Sequence, residues 1–156
     1  MFYLLGLAIF LFSVALGALL LTGDLRFILD IPTFILLILP LVAVLTATQN
    51  FKIFAVGFKA AILPKSNISD DMRGKAASLF RFLSKATALI MTIHILVSLI
   101  MMLTNIDFGE PESIYRIGSR NISAILVTPL YGLIFIAAIF EPIVIILKKR
   151  GDKDRK

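Results

Sequence analysis

Cysteine and tryptophan are absent from this 156-residue chain, and histidine occurs once, at His94. Without cysteine no disulfide can form, and with a single imidazole neither a thiolate nor a multi-histidine metal site can be built within one copy. Charge is scarce as well. Asp, Glu, Lys and Arg make up 17% of the residues, against about a quarter in soluble domains. No Ser-His-Asp set, paired carboxylates or phosphate-binding glycine loop occurs, so the inventory points away from an enzyme. The nine glycines are scattered, and none falls in a GxxxG pair.

Apolar sequence fills the space. Hydrophobic residues account for 59% of the chain, and the mean hydropathy is +0.98. Runs of about 20 apolar residues mark helices that cross a bilayer. Four such runs are legible: residues 1–22, 31–49, 82–103 and 122–147. The first lacks the basic start of a secretory signal and is too long for its apolar core, so it reads as a retained helix. The second opens at Ile31-Pro32, where proline suits a first helical turn. The expectation is an all-α integral membrane protein with four transmembrane helices.

Basic residues lie in two blocks beside these runs. Lys52, Lys59, Lys65, Arg73, Lys75, Arg81 and Lys85 occupy the segment between the second and third runs. Lys148, Lys149, Arg150, Lys153, Arg155 and Lys156 form the tail. Basic flanks are retained on the cytoplasmic side, so both termini and the central segment are predicted to be inside. The same blocks favour anionic lipids over nucleic acid as the binding partner. The connector over 50–81 is too polar to span. Phe51, Phe54, Phe58 and Ile62 recur at helical spacing and suggest an amphipathic helix continuing from the second span along the interface. Asn67-Ile68-Ser69 resembles a cap for a short helix leading into the third span. Residues 104–121 read as an extracytoplasmic loop and 148–156 as a basic cytoplasmic tail.

Polar residues within the runs are the candidate functional positions. Thr87, His94, Ser98 and Asn105 fall within about 20° of one line at 100° per residue. Asn121, Thr128 and Gly132 repeat the spacing on the fourth run. Such a stripe either supplies hydrogen bonds between helices or faces a pore or partner. Pro129 removes a helical donor and crowds the carbonyl of Ile125, which predicts a kink. Glu141 is the one carboxylate inside a run, followed by Pro142. It either pairs with a basic neighbour and caps the loosened backbone, or marks the inner exit of an ion path.

Two stretches carry a more specific pattern. Phe27-Ile-Leu-Asp-Ile-Pro-Thr-Phe-Ile-Leu-Leu-Ile38 resembles the start of the second span in flagellar stator A subunits of the MotA/TolQ/ExbB proton-channel family. Leu99-Ile-Met-Met-Leu-Thr-Asn-Ile-Asp107, Leu126-Val-Thr-Pro-Leu-Tyr-Gly132 and Ile139-Phe-Glu-Pro-Ile143 resemble its third span, outer loop and fourth span. The large torque-transmitting insertion of the flagellar subunits is missing. The ion-path residues of the family's third span fall on His94 and Ile95, and its pore threonine falls on Pro129, beside Thr128. The resemblance implies a homo-oligomeric ring, a pentamer, in the bacterial inner membrane. It also implies two copies of a single-span MotB/ExbD-like partner whose aspartate carries a translocated proton or sodium ion, with no other cofactor. It makes the chain the ring-forming subunit of an ion-driven motor. The alternative is a non-conducting scaffold that retains the stator fold.

Overall fold

The computed structural model describes residues 2–22, 30–63, 68–106 and 111–153. Among these every element is helical: α1 (Phe2–Thr22), α2 (Ile31–Ala47), α3 (Phe51–Ile62), α4 (Asp70–Asn105), α5 (Pro111–Ile134), a π-helical segment (Phe135–Phe140) and α6 (Glu141–Lys153). Three helical stretches are long and apolar enough to cross a bilayer, in α1, in α4 and over Ile125–Arg150. The bent pair α2 and α3 makes a fourth when taken together. Exposed Leu4, Ile9, Phe12 and Leu20 on α1 would each forgo about 1.5–3 kcal/mol in water. Net stabilities are only about 5–15 kcal/mol, so this surface belongs in hydrocarbon, as expected of a membrane protein.

α4 and the α5–π–α6 column form an antiparallel hairpin. Its direction is fixed by two contacts far apart on both strands of the hairpin: Met91 against Gly132, and Phe80 against Phe140 with ring centroids 6.0 Å apart. Phe80, Leu83, Ile143 and Leu147 are almost wholly buried between them. Ser69 caps α4 as the sequence suggested, its hydroxyl accepting from the Met72 N–H at 3.4 Å. Asn67 lies outside the described residues. The helix that follows is not a short one leading into a separate span. It runs 36 residues without interruption, because Asp71 and Lys75, 2.7 Å apart, and Asp70 and Arg73, 3.1 Å apart, support its polar first turns by i,i+4 and i,i+3 pairing. The loop expected over 104–121 is likewise shorter. α5 starts at Pro111 with Glu112 in its first turn, and both residues suit a helix N-terminus.

α2 does not continue smoothly into α3. The two meet at 115° through a Schellman motif, in which Asn50 N–H bonds Leu45 O at 3.2 Å and Gln49 N–H bonds Thr46 O at 3.1 Å. Gln49 takes the left-handed position usually given to glycine, with φ 53°. α3 then lays its small face, Gly57, Ala60 and Ala61, onto the protein. Arg150 fastens its far end by donating to Ala60 O and, at 3.2 Å, to Leu63 O. That guanidinium, assigned by the sequence to a solvated tail, satisfies carbonyls that the end of α3 leaves open.

α1 packs against both α3 and the π segment. Pro142 has no N–H to offer Ala138 O, four residues earlier. Tyr3 donates its hydroxyl to that carbonyl at 3.3 Å. Across the hairpin a chain of rings runs from Phe58 through Phe54, Phe80, Phe140, Phe135 and Phe34 to Tyr131, with neighbouring centroids 5.3–6.1 Å apart. It ties the α3 end of the bundle to the start of α2.

Candidate functional site

Along the α4 stripe burial falls from Thr87, which is buried, through half-buried His94 and Ser98 to exposed Asn105. Thr87 is 0% exposed and its hydroxyl bonds Leu83 O at 2.8 Å, so it offers no surface to a pore or partner. Leu89, Ile93, Leu96, Val97 and Ile100 are exposed, on a face roughly 140° around the helix from Thr87, His94 and Ser98 at 100° per residue. The Thr87 hydroxyl is thus spent within α4 itself and makes no bond to another helix. Asn105 is exposed and bonds Met101 O at 2.6 Å.

Thr128 and Gly132 are buried within the chain on α5. The register set by Met91–Gly132 and Phe80–Phe140 puts Thr128 level with His94. His94 Nδ1 is shielded from solvent and has no hydrogen-bond partner among the described residues. An unpartnered buried nitrogen costs about 1–3 kcal/mol, so this is the most unusual polar atom of the hairpin. Ser98 is half-buried, and Pro129 is half-buried within an α5 that continues through it. Asn121 lies in α5, and its side chain is outside what is described.

Departure from α geometry falls later than the expected kink at Pro129. It occupies Phe135–Phe140, closed by Glu141 N–H to Ile136 O, an i→i−5 bond. Glu141 itself is exposed and forms no ion pair among the described residues, which removes pairing with a basic neighbour. Its backbone serves the irregular turn. Pro142 is half-buried and borders a cavity with Tyr3, Gly6, Leu7 and Phe10 of α1.

One polar cluster escaped sequence reasoning. Asp30 caps α2, its carboxylate accepting from the Thr33 hydroxyl at 2.6 Å, while its N–H donates to Tyr131 Oη at 2.8 Å. The Asp-Ile-Pro-Thr string is a legible cap, but its junction with Tyr131, across 101 residues, has no local signal. Among the described residues no group of His, Asp and Glu is arranged to hold a metal ion. No family model, curated protein or solved structure matches the chain.

Proposed function

We propose that this chain is a non-conducting membrane scaffold subunit that keeps the helical arrangement of a stator-type ring. It meets copies of itself and a single-span partner through apolar surface rather than through pore hydroxyls. One observation carries the reading: Thr87 of the α4 stripe is buried within the chain, whereas Leu89, Ile93, Leu96, Val97 and Ile100 on another face of α4 are exposed and apolar. Helices associate in lipid by packing of this kind. By resemblance, five copies would surround two partner helices in the bacterial inner membrane, with both termini cytoplasmic.

The ion-driven stator remains a second reading, favoured by the buried, unpartnered His94 Nδ1. The chain supplies no acid within the apolar half of the hairpin, so the ion-carrying carboxylate would come from the partner. A charge crossing the membrane releases about 2.3 kcal/mol per 100 mV as drive. Thr128→Val and His94→Leu in the complex purified from its own membrane separate the two. The scaffold reading expects both variants to assemble and neither they nor the parent complex to carry ion flux in proteoliposomes. Flux that falls in both variants while assembly survives would overturn it in favour of the stator.

A further inference from the structure

The elbow between α2 and α3 leaves a cavity of about 350 Å³ lined by apolar side chains alone, among them Leu41, Leu45, Phe54, Phe58, Leu83 and Phe140. Water entering it would find no hydrogen-bond partners, and cavities of that kind take apolar occupants. Two cations adjoin its lining. Phe51 and Phe58 line the cavity, and Lys52 and Lys59, each the next residue on, are exposed. Seven residues apart, the two lysines share one line on α3, about 100° around from the phenylalanines. Asp70 and Asp71 at the same end of the bundle are already paired with Arg73 and Lys75, and Arg150 is engaged with α3 carbonyls. Among the described residues no acid pairs with either lysine, which leaves both to attract an external anion.

We propose that the elbow cavity seats one acyl chain of an anionic phospholipid, with its phosphate held at Lys52 and Lys59. A lipid alone joins the two requirements, a hydrocarbon chain for the cavity and a negative headgroup for the lysines beside it. α3 then lies at the interface with its small face on protein, its phenylalanine edge against hydrocarbon and its lysines among headgroups. The site is independent of whether the assembly conducts ions.

The absence of tryptophan makes the test direct. Phe58→Trp places a single emitter in the cavity wall, and Phe12→Trp, at a position 68% exposed on α1, reports ordinary surrounding lipid. Vesicles of phosphatidylcholine are titrated with acyl-brominated phosphatidylglycerol. Quenching of the Phe58→Trp protein should reach half its extent at a lower fraction of brominated lipid than the Phe12→Trp protein, by on the order of fivefold per lysine. Lys52→Gln with Lys59→Gln should bring the two curves together, and brominated phosphatidylcholine should not separate them. Val42→Phe, which fills the cavity, should abolish the shift without changing the Phe12→Trp curve. If Phe58→Trp fails to fold, Phe51→Trp in the same lining gives the same reading. Coincident curves, a shift that survives loss of both lysines, or no quenching at position 58, as a covering protein chain would produce, each overturns the proposal.

Discussion

Gly57 and Gly132 are both places where two helices touch without a side chain between them, yet they differ in what a methyl group would strike. At Gly57 an added Cβ meets Ala76 Cβ and Phe80 Cε2, both at 2.8 Å. The first is fixed to the α4 backbone, and the second belongs to a fully buried ring. At Gly132 the three nearest atoms all belong to Met91 and are overlapped more deeply, but that side chain is unbranched and adaptable. Gly57→Ala should therefore destabilise by about 1–3 kcal/mol through overpacking, outweighing the helix-propensity gain of about 1 kcal/mol. Gly132→Ala should cost less, and Met91→Ala should rescue it. Thermal or denaturant unfolding in mild detergent measures both, and equal costs at the two glycines would contradict the argument. Neither contact is legible in sequence, because a glycine in an apolar run gives no sign of which helix approaches it. The polar stripe was legible as a stripe. Its direction was not, since the exposed apolar face opposite it becomes visible only once α5 is in place.

At the level of elements, the π segment explains why one helical wheel cannot describe the last column. Upstream, Ile125, Thr128 and Gly132 are buried, and downstream, Phe140, Ile143, Val144 and Leu147. At 100° per residue these two sets point in directions roughly 80° apart, close to the turn of one extra residue. The wide turn absorbs that residue and lets both sets face α4. Deleting Ala137, small and exposed, should therefore leave the packing of Phe140 and Leu147 intact and change stability by less than about 2 kcal/mol. Deleting Ile146 instead turns Leu147 and Arg150 away from their partners, and should cost at least the 2–5 kcal/mol of a lost core leucine. Unfolding midpoints of the two deletions decide it. Pro142 was a sequence signal for irregular backbone here. Pro129 was the more conspicuous one, and proline alone does not say whether a helix widens or simply tolerates the missing donor. The cap at Ser69 was easier, because a cap is written in adjacent residues. The elbow at Gln49 carries no glycine, so its left-handed turn left no mark.

For the whole molecule, the helical runs and their order were open to reading because burial in lipid demands uninterrupted apolar length. How the helices pack together depends on contacts such as Tyr131 with Asp30 that join distant residues. Orientation rests on the basic blocks and can be checked in this cysteine-free chain: Ser69→Cys and Ser113→Cys should be labelled by an impermeant maleimide from opposite sides of the membrane. Labelling of both from one side would invert or dissolve the topology. The tie between Tyr3 and Ala138, 135 residues apart, also bears on the order in which the protein is made. α1 is made before α3 and the π segment against which it packs, and its carbonyl partner follows 135 residues after Tyr3, so through that interval α1 has lipid for company. A helix that must wait in this way cannot carry a polar face for a later neighbour, and the apolar surface of α1 on all sides is what such a schedule requires.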